Sequence, residues 1–274
     1  MNYRHIYHAG NFADVFKHWI LTSILTKLCI KPSPFCLFDT HAGLGLYDLQ
    51  HANAQKTLEF KSGIEQLLDK NVAPEFTAYI NIVMQYKKQH GMYPGSAAIM
   101  QEFCRDNDRL ILSELHPEDY EVLHGNFKFD KRVKTLHQNG YTTLKALLPP
   151  AERRGLILID PPFEETNEFE QIVNSIKESL KRFATGIYAI WYPIKDRKQL
   201  HKFYRDIEKL PIANAFYVEL HANESILNQL NSCGMLIINP PWQLQETLEH
   251  SMPQLISYLN FKHGTFELSV LKCA

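Results

Sequence analysis

The stretch "PFCLFDTHAGLG", residues 34–45, runs a short apolar segment directly into an acid and a turn with two glycines. An apolar run of this length between turn residues reads as a buried strand. Glycine has no Cβ and tolerates positive φ, so a glycine turn at a strand end lets backbone approach a ligand closely. A dinucleotide fingerprint needs a third glycine where Asp48 stands, and no phosphate-loop Lys-Ser/Thr follows. What remains is D-x-x-x-G-x-G, from Asp39 to Gly45. By itself the pattern also fits an ordinary tight turn.

Working outward, "FADVFKHWILTSILTKL" (12–28) carries Phe12, Val15, Phe16, Trp19, Ile20, Ile24 and Leu28 at close to a helical period, with Asn11 placed to cap. It reads as an amphipathic helix. Downstream, strand signals recur at 109–115, 132–138, 155–160, 186–193, 215–221, 234–239 and 265–272, with helical patterns between most of them, such as "FEQIVNSIKESLKRF" (169–183). Strands alternating with helices predict a doubly wound α/β sheet that binds ligands at the carboxyl ends of its strands. Some 60 residues separate the first strand's turn from the second strand, where a whole strand-helix-strand unit needs only about 30. Residues 52–95 are therefore expected to be a helical insertion over the ligand edge, with 1–51 and 96–274 forming the main domain.

Composition narrows the classes. The 274 residues are 45% hydrophobic and 22% charged, as in a globular chain, and the longest apolar runs fall short of a membrane span. A cytoplasmic monomer without membrane contact is expected. Cys29, Cys36, Cys104, Cys233 and Cys273 are odd in number and form no C-x-x-C pair, which argues for reduced, packed thiols rather than a zinc site or disulfide framework. The net charge of −1 excludes a global basic field, so a nucleic-acid partner would need local positive charge. Lys195, Arg197, Lys198, Lys202 and Arg205, with His201 and Tyr204, form such a cluster, although a solvated helix face is the plainer account of it. Arg4, Lys128, Lys131, Arg132, Arg153 and Arg154 are further candidates.

Three motifs could carry chemistry. The glycine turn, including Gly43, has the arrangement seen where S-adenosylmethionine (SAM) binds class I methyltransferases. Glu114 ends the second main strand signal, where a carboxylate can accept from both hydroxyls of a ribose, or merely precede a helix. "LILIDPPFEE" (156–165) then delivers Asp160, Pro161 and Phe163. The Asp160 carboxylate and Pro161 carbonyl can converge on an exocyclic NH₂ and turn its lone pair away from the ring, while Phe163 stacks on a base drawn out of its own stack. A near-twin, "MLIINPPWQL" (235–244), lies near the end, where this fold turns antiparallel. Its Asn239 should reach the opposite sheet edge, with Trp242 packed and Pro240-Pro241 ending the strand.

The blocks "YRHIYHAGNFADVFKH", "DTHAGLGLY", "YPGS", "ELHPEDY", "NGYTTLKALLPP", "RRGLILIDPPFE", "RFATGIYAIWYP" and "MLIINPPW" span nearly the whole chain. Together they resemble the bacterial 23S ribosomal RNA adenine-N6 methyltransferases designated large-subunit methyltransferase J. The resemblance implies a Rossmann-like SAM-dependent methyltransferase with a helical insertion, acting on N6 of one adenine in 23S rRNA. It further implies a SAM pocket of His18, His41, Ser96, Glu114, Asn139 and Gly140, with Asp160 touching both ligands and Tyr3 facing the RNA. Two positions depart from the family pattern. Phe163 replaces the usual tyrosine and loses a hydroxyl, and Asn139 replaces an acid, so it can accept a hydrogen bond but carries no charge.

By residue type alone, His18 and His41 are equally ordinary structural histidines, and no third ligand is spaced to make either a metal site. Ser96 could be only a helix cap. Lys17, one turn into the first helix, is a candidate partner for a carboxylate or phosphate. Other classes stay open on residues alone: a DNA adenine or protein glutamine methyltransferase, or a non-catalytic nucleic-acid or DNA-utilisation protein on the same fold.

Overall fold

The computed structural model describes residues 4–222 and 230–273. A 3₁₀ turn at His5–Tyr7 leads into α1 (Phe12–Cys29), followed by β1 (Cys36–Asp39) and β2 (Leu46–Tyr47). Then come α2 (Ala52–Thr57), α3 (Glu65–Leu68), α4 (Pro74–His90), β3 (Tyr93–Pro94) and α5 (Ser96–Phe103). The next stretch alternates regularly: β4 (Arg109–Glu114), α6 (Pro117–Phe127), β5 (Val133–His137), α7 (Gly140–Leu147), β6 (Gly155–Ile159), α8 (Glu168–Arg182), β7 (Ile187–Pro193) and α9 (Arg197–Glu208). The chain ends with β8 (Ala215–His221), β9 (Ser232–Ile238), α10 (Leu244–Tyr258) and β10 (Thr265–Val270).

Eight of the strands form one sheet in the order β10-β8-β9-β7-β6-β1-β4-β5. From β5 to β7 the neighbours are parallel, and β9 then runs antiparallel to both β7 and β8, as β10 does to β8. The doubly wound α/β expectation is met. The chain builds outward from β1 through β4 to β5, then crosses back to β6 on the other side of β1. That reversal is the topological switch point at which such sheets bind ligands.

Side-chain alternation sorts the core into two layers. Leu37, Leu110, Leu156 and Met235 face α1, α5 and α10, whereas Phe38, Ile111, Ile157 and Ile190 face α7, α8 and α9. The amphipathic reading of α1 needs correction. Val15, Phe16, Lys17, His18, Trp19, Ile20, Leu21, Ile24 and Leu25 are all buried, so nearly every face of the helix is covered. The cause is the 52–95 segment: Phe76, Tyr79 and Val83 of α4 join the same apolar cluster, and the Trp19 and Phe76 rings stack at 4.7 Å. Asn11 caps as expected, its side chain accepting from the Asp14 amide at 2.9 Å.

The five cysteines are free thiols, with Cys36, Cys104 and Cys233 buried. No helix among the described residues is long and apolar enough to cross a membrane.

Candidate active site

The first strand and the fourth parallel one meet in register, Asp39 opposite Leu158, so Asp160 leaves β6 just past the end of β1. In the turn after β1, Gly43 and Gly45 both adopt positive φ, +58° and +74°. A Cβ on Gly43 would lie 2.3 Å from the Tyr47 hydroxyl, which accounts for glycine there. The Gly43 amide donates to Glu114 Oε2 at 2.9 Å, and Glu114 Oε1 accepts from the His116 amide at 2.7 Å. Each oxygen keeps a lone pair for a ligand hydroxyl. Burial raises the Glu114 carboxyl above its ordinary range, with the two amides working against that rise.

Beneath the turn, Asp39 is buried and pushed up to about 6 by that burial, although Ser96 and the His41 amide both donate to it. Ser96 Oγ reaches Asp39 Oδ2 at 2.6 Å. Ser96 is thus not a side-chain cap: α5 has no side-chain hydrogen bond at its N-terminus. His41 sits over the turn with Nδ1 2.8 Å from Thr40 Oγ1, and burial lowers its pKa to about 4. It stays neutral at physiological pH.

The other wall is a chain of charges on α1. Lys17 Nζ donates to Asp160 Oδ2 at 2.5 Å and lies 2.9 Å from Asp14 Oδ1. Burial opposes the lysine's charge, but the two carboxylates outweigh it and hold the ammonium pKa well above its usual value. Asp14 Oδ2 is in turn 2.9 Å from His5 Nε2 and accepts from the Gly10 amide. Positions 14, 17 and 18 share one helix face, which places His18 beside this pair. His18 Nδ1 is 2.8 Å from the Tyr93 hydroxyl, which lies 3.0 Å from the Tyr79 hydroxyl. Buried there, His18 has its pKa lowered to about 3. It is both a satisfied core histidine and a cavity wall.

These groups enclose a cavity of about 670 Å³, lined by Lys17, His18, His41, Gly43, Ser96, Glu114, Asp160, Pro161 and Phe163 among others. That size is ordinary for a small-molecule or cofactor site. Phe163 holds positive φ (+49°), which is costly for a bulky residue, and its ring meets the edges of Phe169 and Trp191 at 5.1 and 6.0 Å. Among the described residues, Asp160 Oδ1 has no hydrogen-bond partner, in contrast to Oδ2.

Two expected pocket residues do not reach the cavity lining. Asn139 Oδ1 caps α7 by accepting from the Tyr141 and Thr142 amides, so its acceptor is spent on the helix. Gly140 serves the turn instead, because a Cβ there would sit 2.2 Å from the Thr40 carbonyl oxygen. Tyr3 lies outside the described residues. Asp14, His5 and Trp191 were not singled out in the sequence, whereas Asp39 was, as the acid that opens the glycine-turn motif. For Asp14 the available signal was its i, i+3, i+4 spacing to Lys17 and His18.

The twin loop behaves differently. Strand β9 ends at Ile238, ahead of the two prolines, and Asn239 Nδ2 donates to the Ala184 and Gly186 carbonyls, both at 2.8 Å. These carbonyls precede β7, at the edge opposite the cavity. Trp242 is not packed: it is 84% exposed, because α10 begins two residues later and carries the chain away.

A strand-end acid bound to a glycine-turn amide, at the switch point of a sheet with this strand order, is the arrangement of class I methyltransferases. Comparison with known proteins is more specific. The family model described as "Ribosomal RNA large subunit methyltransferase D, RlmJ" matches residues 32–271, and the chain belongs to that family. It is 42% identical over 263 residues to "Ribosomal RNA large subunit methyltransferase J" of Escherichia coli, covering 94% of each chain. The protein of the same name from Haemophilus influenzae is 42% identical over 264 residues, covering 94% of this chain and 92% of that one. A crystal structure of a Legionella pneumophila protein superposes with TM-score 0.89 at 36% identity, over 96% of this chain and 98% of the other.

Proposed function

We infer that the chain transfers a methyl group from SAM to N6 of an adenine in 23S ribosomal RNA. The observation that carries this reading is Asp160: one carboxylate oxygen is fixed by buried Lys17, and the other is unengaged among the described residues beside Pro161 and Phe163. A carboxylate with one oxygen pinned has a set orientation, so its free oxygen can accept from one hydrogen of an exocyclic amine. The Pro161 carbonyl is the second acceptor in this reading. With both N–H bonds engaged, the nitrogen rehybridises toward a tetrahedral geometry, and the lone pair otherwise delocalised into the ring is localised on nitrogen. Phe163 supplies the face on which the base stacks.

Membership of the family supports RNA over the DNA, glutamine and non-catalytic alternatives. The fit to SAM rests on the glycine cradle and on Glu114, whose free lone pairs suit ribose hydroxyls. When bound, SAM supplies an electrophilic methyl group. Ser96 would act through Asp39, and His41, neutral and over the turn, through direct contact. In this reading residues 1–51 and 96–274 carry the methyltransferase fold. The insertion 52–95 walls the cavity through Glu59 and Ser62.

The direct test combines labelled SAM with 23S rRNA, DNA and protein in separate reactions, alongside mass spectrometry of 23S rRNA from a deletion strain. One lost N6-methyladenine, restored by the purified enzyme, is the expected result. Label entering only DNA or protein would overturn it.

A further inference from the structure

The mouth of the cavity is electrostatically lopsided. On the β6 side the loop after Phe163 exposes Glu164 and Glu165, followed by Glu170 on α8. On the adjacent β7 side Lys195 lines the cavity, and α9 begins two residues later. Along that helix Lys198, Lys202 and Arg205 are exposed at spacings of four and three, which puts them on one stripe. The stripe runs about 10 Å down the flank from the rim, at 1.5 Å per residue.

The plain account of a charge run is a solvated face balanced by its own neighbours, and the arrangement here differs from that. Arg197 is the basic residue consumed structurally: it donates to Glu219 Oε2 at 2.6 Å, and Glu219 is fully buried. Tyr204 donates to the same carboxylate and sits 2.6 Å from the Tyr192 hydroxyl. Together with buried Leu200, Phe203 and Ile207, this network clamps α9 onto β7 and β8. Among the described residues, no side-chain hydrogen bond or ion pair engages Lys195, Lys198, Lys202 or Arg205. Asp206, the acid that feels Lys202 and Arg205, is hydrogen-bonded first to Lys209, at 2.8 Å. The helix and Lys195 just before it thus present a row of cations without ion pairs among the described residues, starting at the cavity rim, on a protein whose net charge is −1.

We propose that Lys195 and the Lys198, Lys202, Arg205 stripe of α9 form the track for the RNA phosphates flanking the methylated adenine. The RNA enters over β7 and is turned away from the acidic β6 loop. This rests on the reading of the substrate as RNA. Charge complementarity and continuity with the cavity select an RNA backbone as the occupant, since phosphates are read by cations that position the strand without reading its sequence.

The test uses the full-length enzyme with Lys198, Lys202 and Arg205 all changed to Gln. A control changes Lys31, Lys87 and Lys88, which are exposed on other surfaces, to Gln. Binding to a 23S rRNA fragment is measured across a salt series, with methylation kinetics and SAM affinity in parallel. Three lost phosphate contacts on a single strand should reduce the log–log salt slope by about two and weaken binding at least about tenfold near 0.1 M salt. KM for RNA rises accordingly, while kcat at saturating RNA, SAM affinity and thermal midpoint stay at wild-type values. The control keeps the wild-type slope. A stripe variant with wild-type slope and KM overturns the track while leaving the activity standing. A wild-type enzyme that neither binds nor methylates RNA overturns both readings.

Discussion

The two X-Pro-Pro-aromatic loops share a tetrapeptide pattern and almost nothing else. Asp160 leaves a parallel strand at the switch point and points one carboxylate oxygen at a buried lysine, with the other unengaged among the described residues. Asn239 leaves an antiparallel strand at the far edge and spends its amide on two backbone carbonyls. Strain falls in different places too. In the first loop the aromatic takes positive φ (Phe163, +49°), whereas in the second the polar residue does (Asn239, +52°), and asparagine tolerates it far better. The aromatic of the first loop is wedged between Phe169 and Trp191, and that of the second stands in solvent. A local motif therefore acquires chemistry from strand direction and from what the rest of the chain brings to meet it.

The sharpest way to break this comparison is to truncate both polar residues. Asp160→Ala should lower methyl transfer about 10³-fold while SAM still binds, because the amine loses an oriented acceptor. Asn239→Ala should stay within about twofold of wild-type activity and lose about 1–2 kcal/mol of stability with its hydrogen bonds. Comparable activity losses in the two variants would end the distinction.

Next in size is the partner that only the first loop has. Lys17→Met leaves buried Asp14 and partly exposed Asp160 without the lysine they share, which should cost about 3 kcal/mol by chemical denaturation and reduce kcat well before it affects RNA binding. Unchanged stability in that variant would mean that the carboxylates find another partner.

The region around Asp160 should also be the acid-sensitive one. His18 and His41 have pKa values of about 3 and about 4 in the fold, against 6.5 unfolded, because burial disfavours their charged forms. Between pH 6.5 and about 4 the unfolded chain binds more protons, so their contribution is complete above pH 6.5 and is lost as pH falls. Asp39, raised to about 6, acts in the opposite sense between pH 4 and 6 but shifts less than the two histidines together. Denaturation midpoints should therefore fall from pH 7 to pH 4.5, and His41→Gln should flatten part of that decline. A midpoint that does not change over this range would contradict the burial of both rings.

The smallest effect belongs to the second loop's aromatic. Trp242→Ala should change stability by no more than about 0.5 kcal/mol, as for an exposed side chain. Phe163→Ala should cost more through its two edge-to-face contacts.

Much of the fold could be read in the sequence because direction and order follow from local signals. Apolar runs marked β1, β4, β5, β6 and β7, and the switch-point rule then put Asp160 beside the glycine turn. What local signals could not show were partners distant in sequence. The Lys17–Asp160 contact spans 143 positions, and no periodicity reports which carboxylate a buried lysine will meet. Asn139 lies off the cavity lining and caps α7, because helix capping competes for the same acceptor, and a strand-helix junction offers that alternative to any asparagine. Trp242 failed as a core residue because burial depends on what lies over a loop rather than on the residue's hydrophobicity. Ser96 went to Asp39 rather than to a helix cap because the ends of β1 and α5 meet only in three dimensions.

The all-round burial of α1 has a consequence for biogenesis. At about 5–20 residues per second, the ribosome needs roughly 7–30 s to make the 143 residues between Lys17 and Asp160. For that interval Lys17 lacks one of its two carboxylates, and β9 and α10, which also pack on α1, are still unmade. Completion of the surroundings of α1 thus waits on residues more than 200 positions downstream. The same dependence also ties assembly of the catalytic carboxylate to near-complete synthesis of the parallel sheet.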